Sequence, residues 1–282
     1  MNKTFTFHNA NSRETYFTLH NIKTAHRLSL GTGVKVGIID WLFSFRDHSS
    51  LYSGYADISD IPEQLQSTGH GYWMANTLRE IAPKCEIYAL NAIDYSGESN
   101  RITLLEKAID WAIKNNIDIL TYSHRAFSGD EKIRINGAIE KAVQAGLITT
   151  FIHCDSPNNI WPYACYPYIP EKIFTRTPDV NILHYDYNDL ILDVYDRYNN
   201  QLDKGQHIQS GNDIPFFSIS SMSPVLAGFI ALMKERNPKL TAENCRQVLI
   251  ETSYPITEAG QHWYDINPCE RVVDIGKAVA AI

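Results

Sequence analysis

The strongest constraint on the fold is a fourfold alternation of short apolar runs and helix-period segments between residues 34 and 152. Residues 34–39 (VKVGII) form a β-branched run ending at Asp40, the pattern of a strand buried on both faces. Residues 70–81 place Trp73, Met74, Leu78 and Ile81 at helical spacing, and Pro83 follows their end. Residues 85–90 read as a second strand. Thr103-Leu-Leu-Glu106 has capping-box spacing and predicts a helix to about residue 114, with Ala108, Trp111 and Ala112 on one face. A third strand over 117–122, a helix over 133–145 with Gly146 at C′, and a fourth strand over 147–152 complete the run. Parallel strands need crossover connections. The alternation therefore predicts an α/β fold of three layers, a central, mostly parallel sheet with helices on both faces.

Beyond residue 170 the pattern changes. Residues 180–197 predict two antiparallel strands with Asp- and Tyr-rich edges. Ser223-Pro224 supplies an N-cap and a first helical position for a strongly apolar helix through residue 232. An amphipathic helix over 241–251 and a segment over 273–282 close the chain. With no internal repeat, low-complexity tract or linker, residues 1–282 are expected to form one domain, residues 1–25 being an N-terminal extension.

Composition excludes several classes of function. A hydrophobic content of 44% and 32 aromatic residues exclude a disordered chain. A net charge of −7 without a Lys/Arg cluster argues against nucleic acid or an anionic membrane as partner. No apolar run approaches the roughly 18 residues of a membrane span. The start, MNKTFTFH, lacks the basic and apolar regions of a signal peptide. Five cysteines without CxxC spacing read as reduced thiols, and the expected location is the cytoplasm.

In an open parallel sheet reactive residues gather at the carboxyl ends of the strands. Asp40 ends the first strand, and His70 opens a helix within Gly69-His70-Gly71. Ser220 stands just ahead of the helix at Pro224, where free N–H groups point. Their chain order is Asp, His, Ser.

The text around all three resembles the subtilisin-like serine proteases (subtilases). VKVGIID, ending at Asp40 and followed by Asp47-His48-Ser-Ser-Leu51, is similar to the family's Asp motif. His70-Gly-Tyr-Trp-Met-Ala-Asn76 with residues 81–90 is similar to its His motif. Ser218-Ile-Ser220-Ser-Met-Ser-Pro224 through Gly228 is similar to its Ser motif, whose nucleophile stands four residues before the proline. The resemblance spans about residues 20–282 and implies a serine endopeptidase acting on a peptide or protein substrate. Ser220 would be the nucleophile, His70 the base and later acid, and Asp40 the group that orients His70. The N-terminus differs from the family's: only 39 residues precede Asp40, so neither a propeptide nor a signal peptide is expected, which points to a cytoplasmic enzyme, of the kind that trims peptide precursors.

The chain departs from that pattern in three places. Asp155 stands where the family has an asparagine that donates a hydrogen bond to the oxyanion. In subtilisin the loss of that donor costs on the order of 10²–10³ in rate. An ionised carboxylate accepts only, whereas a protonated one donates, as Asp155 would if desolvation raised its pKa; a few active subtilases carry Asp there. Ser123-His124-Arg125-Ala126 replaces the family's substrate-lining Ser-Leu-Gly-Gly, so Arg125 is a candidate for selecting an acidic substrate. Ser218-Ile219 replaces Gly-Thr ahead of the nucleophile. The alternative functional reading is a pseudoprotease that binds a peptide or protein without cleaving it. A flavodoxin-like ligand-binding domain is a more distant rival.

No cofactor or metal is expected. Asp179, Asp186, Asp189, Asp193 and Asp196 match no EF-hand spacing for calcium and read as a solvated hairpin. His153, Cys154 and Asp155 are consecutive, and consecutive side chains rarely converge on one ion. The aromatic loop over 161–168 reads as pocket lining or as packing on the core.

Overall fold

Strand β1 (Lys35–Asp40) lies at the middle of a five-stranded sheet in which every pairing is parallel. In chain order the structure, a computed structural model, places α1 (Ile22–His26), β1, β2 (Gly54–Asp57), α2 (His70–Ile81), β3 (Glu86–Asn91) and α3 (Arg101–Lys114). These are followed by β4 (Ile119–Tyr122), α4 (Gly129–Gln144) and β5 (Ile148–Phe151). Described residues are 17, 20–59, 69–92, 100–124, 127–152, 154, 156–160, 180–186, 189–195, 201–209, 222–255 and 271–282. The sheet order is β2-β3-β1-β4-β5. The chain goes from β1 to β2 at one edge, steps back to β3 beside β1, and then adds β4 and β5 on the other side of β1. This makes β1 the topological switch point, where α/β sheets open a crevice at their carboxyl edge.

Side-chain parity along the strands sorts the core into two faces. Val36 and Ile38 of β1, Ile87 of β3, Ile119 of β4 and Ile148 of β5 pack with Met74, Leu78 and Ile81 of α2. The same cluster takes in Phe229, Ile230 and Met233 of α5 (Met222–Arg236), Leu249 of α6 (Ala242–Thr252) and Val279 of α7 (Ile275–Ala280). Ile39, Leu90, Leu120, Tyr122 and Phe151 turn the other way, onto Leu105, Ile109 and Ala112 of α3 and Ile135 and Ile139 of α4. The predicted three-layer α/β arrangement is the observed one. By the same parity Asp40 follows Val36 and Ile38 onto the face covered by α2 and α5.

The structure moves several predicted boundaries and adds elements. Helix α3 begins at Arg101, so Thr103 lies inside it and caps nothing; its hydroxyl accepts from Arg134 at 3.1 Å. Helix α4 begins four residues ahead of the predicted start, with Asp130 and Glu131 in the first turn, where negative charge suits the dipole. Gly146 takes the left-handed conformation expected at C′ (φ 84°). Helix α5 begins at Met222 and extends to Arg236, which puts Ser223 within the helix rather than at its cap. Strand β2 was not anticipated. The predicted antiparallel pair is three strands, β6 (Val180–Asp186), β7 (Asp189–Tyr195) and β8 (Gln201–Gln209), with the backbone register irregular between them. A short antiparallel pair, β9 (Tyr254–Pro255) with β10 (Arg271–Val272), precedes α7.

The described part of the expected N-terminal extension is packed. Phe17, Ile22 and Ala25 are buried. His20 donates from Nδ1 to the Val273 carbonyl at 3.0 Å, and its own carbonyl accepts from Ile275 N at 3.0 Å. The turn leading into β1 is tied to the end of α5 by one carboxylate oxygen. Glu235 Oε2 accepts from Ser29 Oγ at 2.7 Å and from the backbone N–H groups of Leu30, Gly31 and Thr32 at 2.7, 2.6 and 2.9 Å. Burial alone would raise the Glu235 pKa, but these donors outweigh it and hold the pKa below the usual range. That stabilisation is therefore present above the unfolded value near 4.3 and is lost as pH falls through the folded value. Glu235→Gln is expected to cost about 2 kcal/mol at pH 7, partial exposure included. Urea unfolding should show this difference shrinking as pH falls below the unfolded value near 4.3.

Candidate active site

The site is built from the segment that follows β1. Asp40 is fully buried, and its Oδ1 accepts from Trp41 N at 2.9 Å. The next residues cross in front of α2 and cap it with main chain. Gly71 N donates to the Trp41 carbonyl at 2.8 Å, and Gly69 N and Tyr72 N donate to the Leu42 carbonyl at 3.1 and 3.3 Å. These carbonyls satisfy donors that a helix start leaves open, where the N-cap Gly69 has no side chain to do so. The approach is close. A Cβ on Gly71 would stand 2.6 Å from the Trp41 oxygen and 2.8 Å from the Phe43 ring. The capping segment holds Leu42 and Ser44 in the left-handed region, φ 54° and 51°, a conformation that costs on the order of 1–3 kcal/mol per non-glycine residue. Phe43 is fully buried, and its carbonyl accepts from Tyr52 Oη at 2.6 Å, which anchors the segment.

Capping in this way brings the first residue of α2 against the last residue of β1. His70 Nδ1 donates to Asp40 Oδ2 at 2.8 Å and to Oδ1 at 2.9 Å. The Trp41 ring lies nearly parallel to the His70 ring, 8° between planes and 5.1 Å between centroids. The His70 side chain keeps 20% of its surface exposed while the carboxylate has none. One edge of the imidazole thus reaches solvent and the other is held by the buried acid.

A second imidazole shares the carboxylate. His124, two residues past the end of β4, places Nε2 3.6 Å from Asp40 Oδ1. Its ring tilts against Trp41 at 4.3 Å and against His70 at 5.1 Å between centroids. Burial pushes the Asp40 pKa up, but the His70 charge, the approach of His124 and the His70 hydrogen bond prevail and lower it to about 2. For His70, burial opposes protonation, while the Asp40 charge and hydrogen bond favour it more, so its pKa is raised. This arrangement keeps an acid ionised, fixes an imidazole tautomer with hydrogen on Nδ1, and turns Nε2 toward the carboxyl edge of the sheet as a base.

Of the candidate residues, the structure brings together Asp40, His70 and His124. Ser123 is buried at the end of β4, beside His124. Arg125, Asp155 and Ser220 lie outside the described residues, as do His153, the 161–168 loop, Asp179 and Asp196. Asp186, Asp189 and Asp193 stand on β6 and β7. Sequence neighbours of two of the outside positions are described. Asn159 accepts from Phe151 N at 2.8 Å and donates to the Phe151 and Cys154 carbonyls at 2.9 and 3.0 Å, on either side of position 155 in the sequence. Thr150 Oγ1 donates to the Ser223 carbonyl at 3.2 Å, tying the first turn of α5, just past Ser220, to β5. Trp41 was not singled out by sequence; its position one residue past a strand-ending Asp was the available signal.

No protein-family model matches the chain. It is 32% identical over 137 residues to the minor extracellular protease Epr of Bacillus subtilis, a stretch of 45% of this chain and 21% of that protein. The similarity to a thermostable alkaline protease of Halalkalibacterium halodurans covers 37% of the relative, so the match spans well under two thirds of these proteins. Subtilisin Savinase of Lederbergia lenta is 24% identical over 243 residues, 81% of this chain and 87% of that protein. Among solved structures, a lanthipeptide protease superposes with a TM-score of 0.60 at 15% identity, over 98% of this chain and 96% of that one. The serine protease MycP1, a component of a type VII secretion system, superposes with a TM-score of 0.58 at 13% identity, covering 93% and 87%. The fold is subtilisin-like, and the chain is similar in sequence to subtilisin-type proteases.

Asp40→Asn removes the interactions that raise the His70 pKa and leaves the burial that lowers it. An NMR titration of the histidine ring protons is expected to place His70 above 6.5 in the wild type and below it in Asp40→Asn. The pair's contribution to stability spans the window from the unfolded Asp value near 3.9 up to the unfolded His value near 6.5. Below it the contribution fades as pH falls toward 2 and Asp40 protonates, and above it as pH rises through the raised His70 value.

Proposed function

We propose that the chain is a serine endopeptidase in which Asp40, His70 and Ser220 act as the triad. The observation that carries this reading is the His70–Asp40 pair at the carboxyl edge of the sheet, Nδ1 to carboxylate at 2.8 Å, with the carboxylate fully buried. With hydrogen on Nδ1, Nε2 takes the Ser220 hydroxyl proton as the oxygen attacks the scissile carbonyl, and returns it to the leaving amine. Water then hydrolyses the acyl group on Ser220 by the same proton path. Asp40 stays ionised throughout and stabilises the imidazolium. The Ser220 N–H is one oxyanion donor and a protonated Asp155 side chain is the other.

Ser123, His124 and Arg125 line the substrate cleft in this reading, and Arg125 selects a peptide bearing a carboxylate. Processing of a specific peptide precursor suits such a cleft, and a lanthipeptide protease is among the proteins of similar fold. We assign the enzyme to the cytoplasm because its cysteines read as reduced thiols. Cys85, Cys154 and Cys245 are buried thiols, and no helix among the described residues is long and apolar enough to cross a membrane. A carboxylate where the family places an oxyanion donor favours a second reading, a pseudoprotease that binds a peptide or protein partner.

A fluorophosphonate probe separates the two. Stoichiometric labelling that Ser220→Ala abolishes is the expected result; absence of labelling of folded protein from pH 5 to 9 would leave the pseudoprotease. Asp155→Asn is expected to preserve or raise the labelling rate, because an amide donates at every pH. A fall of the order of the 10²–10³ that a lost oxyanion donor costs would contradict a donating Asp155.

A further inference from the structure

Two imidazoles and one carboxylate converge in the site, and the pairing of Asp40 with His70 accounts for one imidazole. Ligand atoms of Asp40, His70 and His124 all lie within 4.8 Å of one another. His124 Nε2 is buried and makes no hydrogen bond among the described residues. Its gap to Asp40 Oδ1, 3.6 Å, is too long for a hydrogen bond. That length suits a shared ion: ligands about 2.0–2.1 Å from a tetrahedral zinc stand roughly 3.4 Å from each other. The His70 Nδ1 contacts, 2.8 and 2.9 Å, need to open by about half an ångström to meet the same spacing. Both imidazole side chains retain some exposure, 20% for His70 and 19% for His124, so the cluster lies just beneath the surface.

We infer that Asp40, His70 and His124 form a binding site for a divalent transition-metal ion, and that the ion switches the site off. Two imidazole nitrogens and one carboxylate are the donors of Zn²⁺ and its neighbours rather than of Ca²⁺ or Mg²⁺. Three protein ligands leave a fourth position for water. The ion replaces the proton on His70 Nδ1. That proton moves through solvent to Nε2, so none is released when the ring is neutral. His70 then carries hydrogen on Nε2, the nitrogen that takes the Ser220 proton in the triad proposed above, and has no lone pair to accept it, and Asp40 is committed to the metal. Binding depends only on the three ligands, whereas inhibition also rests on the triad proposed above.

The test separates these parts. In calorimetry with Zn²⁺ alone in a non-chelating buffer, the wild type is expected to bind one ion with roughly micromolar affinity or better. His124→Leu and the more conservative His124→Gln should each weaken this at least tenfold. His48→Gln, outside the cluster, should leave it unchanged, and circular dichroism reports whether each variant is folded. Co²⁺ should produce tetrahedral d–d absorption bands. X-ray absorption at the zinc edge of the wild type, which needs no variant, should show imidazole scattering with oxygen. One-to-one binding that survives both His124 substitutions, a sulfur or all-oxygen shell, or no binding at micromolar zinc would overturn the site. Zinc binding without loss of fluorophosphonate labelling in a labelling-competent enzyme would leave the site standing and overturn the switch. A protein that binds zinc but never labels would overturn the protease reading alone.

Discussion

The capping of helix α2 by the backbone of residues 41 and 42 holds the site together. A parallel strand delivers an acid to the sheet edge, and a helix start is the natural place for an imidazole, but neither element specifies the distance between them. The carbonyls of Trp41 and Leu42 specify it, because they accept from Gly69, Gly71 and Tyr72 while Asp40 is the residue immediately before. The same hydrogen bonds that complete the helix therefore set the Asp40–His70 distance. This requires a glycine at 71, where a side chain would meet the Trp41 carbonyl, and left-handed backbone at Leu42 and Ser44. Buried Phe43, between those two strained residues, anchors the turn in the core and offsets their strain.

The arrangement also shows how a buried acid is kept charged. Asp40 has no solvent contact, and burial by itself would protonate it. Hydrogen bonds from Trp41 N and His70 and the nearby His124 replace the lost hydration, so the acid remains ionised well below neutral pH. His70 in turn gains proton affinity from the acid and loses some of it to burial. The acid's effect is the larger, so the imidazole holds a proton more readily than a free histidine, which suits a base that takes a proton from a hydroxyl.

Much of this was legible in the sequence because it depends on local period and local text. The strand runs, the Gly-His-Gly turn and the Ser-Pro helix start each occupy a few consecutive residues, and their reading survives small errors in boundary. The misplaced helix starts show where local reading weakens. Thr103 and Ser223 have the chemistry of caps, yet the helices begin earlier, because packing of α3 on α4 and of α5 under the sheet extends them past a favourable cap. Strand β2, four residues long and mostly half-buried, lacked the apolar run that marks a central strand. The role of His124 was also out of reach. In sequence it is one residue of a substituted cleft segment, and only the alignment of β4 beside β1 carries it to Asp40.

The sequence by itself determined the layer architecture, the order of Asp, His and Ser along it, and the chemical departures at Asp155 and Arg125. Period and residue type suffice for these, since each is a property of a short segment. Tertiary structure alone decided that Asp40 turns to the face covered by α2 and α5, that its carboxylate is fully enclosed, and that two imidazoles meet it. Those facts depend on strand register and on contacts between residues 30 and 84 positions apart. Separations of that length leave no local pattern, and the folded sheet alone brings the groups within a few ångströms.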